Sequence, residues 1–228
     1  MAAAQGRLSD GTDENGTGTP TDRVPPDGED RVPACFHAAV DALVSARLRP
    51  GIEVEPVRPP RRLAPYAYAL QAAVPDDAGT DEDLADGRLV LLYDPAGHES
   101  WDGAFRLVTL VRAELEPEMA ADPLLPEVCW SWLTGALQNR GMAYGEPSGT
   151  VTRASSQHFG GLAARPAVCQ IEIRASWTPR EASGTVPDTG AHLAAWCELL
   201  CQVAGLPPVA PGDTSVVSLP QRRGPRPA

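Results

Sequence analysis

Apolar residues recur along the chain with two different periods, and each period predicts a different kind of element. Spacings of three and four residues predict three helices, which begin near Pro33, Asp122 and Asp188. Alternation, or a short apolar run between turn residues, predicts five strands, and the preceding segment IEVEPV is either a further strand or an extended connector. The five strand segments are YAYALQAAV, RLVLLYD, AFRLVTLVRAEL, SGTVTRAS and CQIEIRASW.

The order of these elements predicts the fold class. It runs helix, three strands, helix, two strands, helix, and the short connections favour an antiparallel sheet with the helices packed on one face, an α+β fold. The order resembles that of the type III secretion chaperone-like fold. Members of that fold are often dimeric peptide binders, so the resemblance implies a homodimer or a protein partner.

Alternation along each strand, and spacings of three and four residues along each helix, predict which side chains face the core. In CQIEIRASW, Glu172, Arg174 and Ser176 face outward and the intervening residues face inward. The strands RLVLLYD and AFRLVTLVRAEL are apolar on both faces at mid-length, which is typical of the middle of a sheet. The buried stripe of the second helix is predicted to hold Leu125, Val128, Cys129, Trp132, Leu133 and Ala136. That of the last helix holds Leu193, Trp196, Cys197, Leu200 and Cys201.

Composition changes this picture at the two ends of the chain. Of the 228 residues, 43% are hydrophobic and 21% charged, enough for one domain, which we place at 33–210. Residues 1–32 are acidic and rich in Gly, Thr, Asp and Pro, and residues 211–228 are rich in Pro and Arg. Neither segment holds enough apolar surface to offset its ordering entropy, so both are predicted to be disordered.

Charge and cysteine content exclude several classes of function. The net charge of −11 argues against a nucleic-acid-binding surface, and the absence of lysine excludes lysine-based chemistry. No signal peptide and no apolar run long enough to cross a membrane is recognisable. The five cysteines are an odd number without framework spacing, which favours free thiols in a reducing compartment, the cytoplasm.

Four arginines and one tryptophan are the candidate binding residues. Arg106 and Arg112 share one face of the strand AFRLVTLVRAEL. Arg153 and Arg174 are predicted on the outward face of the strands SGTVTRAS and CQIEIRASW. Together they form either a platform for an anion or acidic peptide, or a ladder of opposite charges with Glu114 and Glu172, and the ladder is the favoured interpretation. Trp130 lies off the buried stripe of its helix, so it marks either an interface or a contact with a neighbouring element.

No arrangement of residues in the sequence predicts a catalytic or metal site. Glu114, Glu116 and Glu118 alternate, but Pro117 interrupts the strand between them, so a polar strand end is favoured over a carboxylate site. His192, Cys197 and Cys201 lie on one helix, where core packing is favoured over metal binding. Ser155, Ser156 and His158 precede a Gly-Gly pair, but they lack a nucleophile elbow and an orienting acid. We therefore expect no cofactor and no metal.

Several long phrases are similar to those of one protein family. They are RLAPYA, GRLVLLYDPAGHESWDGAFRLVTLVRAELEPEMAADPLLPEVCWSWL, SGTVTR, FGGL and IRASWTP. In this order they resemble an actinobacterial family of unknown function, over about residues 34–208. The resemblance brings no catalytic residue with it. It implies one association, with a neighbouring gene for a ribonuclease-D-like exonuclease.

Three hypotheses about function follow. The first is a cytosolic binding or adaptor protein, without a catalytic site, that contacts another protein through its sheet face. The second is an enzyme acting on an anionic small molecule, with Arg106, Arg153 and Arg174 binding the anion and His158 as acid or base. The third, which rests on the family resemblance, is an accessory factor of an RNA-processing exonuclease that does not itself bind nucleic acid.

Overall fold

Six antiparallel strands form one sheet that carries the three long helices on a single face. The computed structural model describes residues 32–76, 82–181 and 186–207. The strands are β1 Glu53–Val57, β2 Tyr66–Pro75, β3 Asp83–His98, β4 Gly103–Leu115, β5 Tyr144–Ser156 and β6 Val168–Pro179. The helices are α1 Ala34–Val44, α2 Pro117–Ala120, α3 Leu125–Asn139 and α4 Thr189–Val203, with 3-10 turns at Glu99–Trp101 and Gly160–Leu162.

The predicted α+β class and element order are confirmed, and the segment IEVEPV is the edge strand β1. The strand order in the sheet is β1-β2-β3-β4-β6-β5. After β4 the chain passes through α2 and α3 to the far edge, where it forms β5. The β5–β6 hairpin then places β6 between β5 and β4, so the last strand in the sequence is an interior strand.

The main core lies between the sheet and the helices. Helix α4 packs against β2, β3 and β4, and α1 and α3 contact it as neighbours. Within α4 the predicted stripe is buried throughout, and Asp188 caps the helix because its Oδ1 accepts a hydrogen bond from the Ala191 N–H at 3.0 Å. Trp177 and Trp196 are the largest fully buried side chains of this core.

Helix α3 buries a narrower stripe than its sequence predicts. Leu125, Cys129, Leu133 and Ala136 are buried as expected. Val128 is 37% exposed and Trp132 is half-buried, so the prediction was wrong for Val128. The reason is that, among the described residues, α3 contacts mainly α4 and the edge strand β5, which leaves the flank with Val128 exposed.

The start of α3 also differs from expectation. Asp122 does not cap the helix directly, because the short helix α2 and a turn precede it and α3 begins at Leu125. Asp122 Oδ1 instead accepts a hydrogen bond from the Leu124 N–H at 2.9 Å. The predictions of disorder in the terminal segments fall almost entirely outside the described residues.

Candidate functional site

The face of the sheet opposite the helices carries the candidate site, and we call it the helix-free face. Residues directly opposite one another in an antiparallel pair share a face, so the register of the strands defines its members. They include Arg88, Val90, Leu92, Arg106, Val108, Leu110, Arg112, Ser148, Thr150, Thr152, Glu172, Arg174, Ser176 and Thr178.

Part of the helix-free face is a second, smaller apolar cluster. Ala69, Val90 and Leu92 are buried there, and the half-buried Ala64 and Trp101 pack over them. Strands β3 and β4 are therefore apolar on both faces at mid-length, as their sequence predicts. The cover comes from two connections, the β1–β2 segment 58–65 and the 3-10 turn that holds Trp101.

An open cavity of about 610 Å³ lies on the helix-free face next to this cluster. Its floor is Val90, Val108 and Leu110, and one wall is formed by Pro60 and Leu63 of the β1–β2 segment. The remaining lining is polar or basic, namely Arg88, Arg174, Ser148, Thr150 and Ser176 with the backbone of Thr109, Gly149 and Ala175. Its volume falls in the range of small-molecule sites.

Arg106 contacts two serines that line the cavity, Ser148 and Ser176, and it is only 6% exposed. Its Nη1 donates to Thr178 Oγ1 at 2.9 Å, and its Nη2 donates to Ser176 Oγ at 2.8 Å and Ser148 Oγ at 3.2 Å. Burial lowers the pKa of Arg106, and the nearby Glu146 raises it in part. Among the described residues no carboxylate forms an ion pair with this guanidinium.

Arg112 and Arg174 both pair with Glu172. Arg112 Nε lies 3.1 Å from Glu172 Oε2, and Arg174 Nε lies 2.8 Å from Glu172 Oε1. Only the Arg112–Glu172 pair joins two strands, since Arg174 and Glu172 both belong to β6, so the cross-strand ladder that the sequence favours is present in part. Both arginines are more than half exposed, so the two pairs add little stability, and Arg174 also lines the cavity. Glu114, expected in the ladder, stands opposite Gln170.

Arg153 lies on the other face of the sheet, so its predicted grouping with Arg174 was wrong. It stands directly opposite Ile171, a core residue. Its Nη1 donates to the carbonyl oxygens of Ala120 at 2.6 Å and Asp122 at 3.1 Å. Arg153 therefore ties the connection between α2 and α3 to the edge strand β5.

Trp130 also lies on the helix-bearing side, where it packs against the edge strand. The space that a Cβ at Gly149 would occupy is only 2.8 Å from Trp130 Cζ3. The indole is half-buried because glycine lets it approach the β5 backbone closely. Of its two sequence interpretations, the structure favours contact with a neighbouring element.

The candidate metal and hydrolase residues lie apart from the cavity. His192 is 1% exposed in the core and accepts a hydrogen bond from Trp177 Nε1 at 3.3 Å, and burial lowers its pKa to about 4. Burial raises the pKa of the Cys197 and Cys201 thiols. His158 Nδ1 lies 3.0 Å from the Pro166 carbonyl oxygen, within the β5–β6 loop.

The described residues contain no group of three or more potential metal ligands and no helix long and apolar enough to span a membrane. All five cysteines are free. The reducing compartment and the cytoplasmic location remain predictions.

Sequence reasoning missed most of the residues that line the cavity. Arg88, Ser148 and Leu63 come from three separate segments, and nothing in the sequence states that β6 lies between β4 and β5. The one available indication is the apolar second face of β3 and β4, which the sequence does predict. An apolar sheet face of this kind is usually covered by another segment of the protein or occupied by a ligand or partner.

One family model matches most of the chain. The model of the family described as "Protein of unknown function (DUF3000)" matches residues 32–214. The chain belongs to the DUF3000 family. No curated protein and no solved structure gives a significant match. The description of the DUF3000 family names no activity.

Proposed function

We propose that this DUF3000 protein is a binding protein rather than an enzyme, and that it holds a negatively charged ligand on the helix-free face. The observation that carries the proposal is the cavity, which combines an apolar floor with three nearby guanidinium groups, those of Arg88, Arg106 and Arg174. Arginine forms paired hydrogen bonds with carboxylates and phosphates, so these groups favour an anion.

The charge balance around the cavity supports an anionic ligand. Glu172 is the acidic partner of Arg174, but it is shared with Arg112, which also stands opposite Asp86. The guanidinium of Arg106 is buried, and a buried charge is screened much less by salt than an exposed one. Three guanidinium groups thus lie at or next to the cavity although the whole chain carries a net charge of −11.

The enzyme hypothesis is not favoured by these positions. It requires Arg106, Arg153 and Arg174 to bind one anion near His158. Arg153 lies on the opposite face, and His158 is held in the β5–β6 loop by contact with Pro166. The accessory role beside an exonuclease and the homodimer stay predictions, since they rest on the two resemblances.

A single-site dye titration tests the proposed function. The probe is 1-anilinonaphthalene-8-sulfonate, which carries an anionic group on an apolar body. We expect the full chain to bind it at one dominant site and the R88Q/R174Q variant to bind at least ten times more weakly, since each lost charge-assisted bond is worth about 1.5–3 kcal/mol.

The matched control is the R47Q/R140Q variant. It removes the same charge from exposed arginines that do not line the cavity. The control should bind the dye as the unchanged protein does. Equal weakening in both variants would show that only net charge matters and would overturn the helix-free face as the binding surface.

A further inference from the structure

The hydrogen bonds of Arg106 have a consequence for the cavity wall. A guanidinium group only donates, so each of the three hydroxyl groups bonded to it acts as an acceptor there. Every one of these hydroxyls must then direct its own proton elsewhere. The hydroxyl groups of Thr178, Ser148 and Ser176 are therefore oriented as hydrogen-bond donors, and the positive charge of the buried Arg106 lies next to them.

The three protons can be followed individually. Thr178 Oγ1 donates its proton to the Trp101 carbonyl oxygen. Ser148 Oγ and Ser176 Oγ lie 3.3 Å apart, so one of the two donates to the other. The remaining proton of this serine pair has no other acceptor among the described residues, and both serines line the cavity. One hydroxyl donor is therefore available to a ligand there.

The cavity floor continues in a straight line from this donor. Ser148, Ser176, Val108 and Val90 stand directly opposite one another on successive strands. Three strand spacings separate the first from the last, about 14 Å. Pro60 and Leu63 form an apolar wall beside the same cavity, and Leu63 is 52% exposed. A ligand that is polar at one end and aliphatic along the remainder fits this row.

We infer that the cavity binds a small amphipathic acid of medium chain length. This inference rests on the proposed function and specifies its ligand. The anionic head accepts the free hydroxyl proton of the Ser148–Ser176 pair and lies within the field of Arg106, with Arg174 beside it. The aliphatic tail lies on Val108, Leu110 and Val90 and covers the exposed part of Leu63.

The inference is tested by calorimetric titration of the full chain with octanoate, octanol and octylamine. We expect octanoate to bind at least ten times more tightly than octanol, and octylamine, which is a cation at neutral pH, to bind most weakly. The S148A/S176A variant should lose this preference while it still binds octanol. The T152A variant, which loses a hydroxyl from the same face of β5 outside the cavity, should behave as the unchanged protein.

A second variant, R106M, separates the charge from the hydroxyls. Replacing a buried unpaired cation by an apolar side chain of similar length removes its desolvation cost, so the fold should persist. The preference for octanoate over octanol should fall as it does in S148A/S176A. If R106M retains the preference, Arg106 does not act on the head group and the inference is overturned.

The remaining outcomes distinguish this inference from the proposed function. Dye binding that depends on Arg88 and Arg174, without displacement by octanoate, would overturn the small acid and keep the anion-binding face. Displacement by a hexaglutamate peptide but not by octanoate would overturn it in favour of a polypeptide ligand. Dye binding that is independent of both arginines would overturn both proposals.

Discussion

At the residue scale, the two largest buried side chains of the core, Trp177 and Trp196, each donate their indole N–H to a neighbouring side chain. Trp196 Nε1 donates to Thr109 Oγ1 at 2.6 Å, and that hydroxyl donates to the Arg88 carbonyl oxygen at 3.0 Å. Trp177 uses His192 as its acceptor in the same way. Because the imidazole must accept at Nδ1, the fold requires the neutral form of His192.

The buried histidine predicts an acid-dependent loss of stability. Its pKa is about 4 in the folded protein, against the usual value near 6.5, so between these pH values the unfolded chain binds a proton that the folded chain does not. The free energy of unfolding should therefore fall as the pH drops from 6.5 to 4, by up to about 3 kcal/mol from this residue.

Urea unfolding at several pH values measures this effect. The H192Q variant should be less stable at pH 7, and its stability should change less between pH 6.5 and 4 than that of the unchanged protein. The H158Q variant changes a histidine outside the core and should retain the full slope. An equal slope in H192Q would mean that His192 does not titrate between the two states.

At the element scale, helix α4 packs closely against β3 and against α1, and each contact is made at a glycine, which has no Cβ. A Cβ at Gly87 of β3 would lie 2.9 Å from Trp196 Cζ2 and 3.1 Å from Leu200 Cδ2, both on α4. A Cβ at Gly190 of α4 would lie 2.6 Å from the Ala42 carbonyl oxygen of α1. The position of α4 is therefore set by glycine on both sides.

Substitution at Gly87 should be costly for this reason. The G87A variant is expected to lose about 1–3 kcal/mol of unfolding free energy, the usual cost of overpacking a core. The G135A variant is the control, since a Cβ there meets nothing within 4 Å and alanine favours the α3 helix by about 1 kcal/mol. Similar unfolding midpoints for the two variants in urea would contradict the close packing of α4 on β3.

The elements themselves follow from the sequence, but their arrangement does not. The alternation in CQIEIRASW assigns the faces of β6 correctly, because one buried face forces apolar residues to every second position. The same argument would have placed Arg153 correctly, since it shares parity with Val151, the one β-branched aliphatic residue of β5. Strand order was not predictable, because β5 and β6 carry no feature that selects the partner of β4.

At the scale of the whole molecule, burial is distributed unequally across the sheet. Strands β3, β4 and β6 have neighbours on both sides and contribute many buried side chains. The edge strand β5 is 13 residues long and contributes none, since its side chains are at most half-buried. Ser148 and Thr150 of β5 line the outer side of the cavity. Among the strands that form the site, β5 thus buries the least apolar surface.

This gradient predicts a difference in backbone protection. Strand β5 should open locally at a free-energy cost several kcal/mol below that of global unfolding, because separating it from β6 exposes little apolar surface. Native-state hydrogen exchange with mass spectrometry should therefore find β5 amides exchanging before those of β3, β4 and β6. The G87A variant should accelerate exchange in the interior strands and leave β5 nearly unchanged. If β5 exchanges only with the interior strands, the sheet opens as one unit, and the cavity wall is as stable as the core.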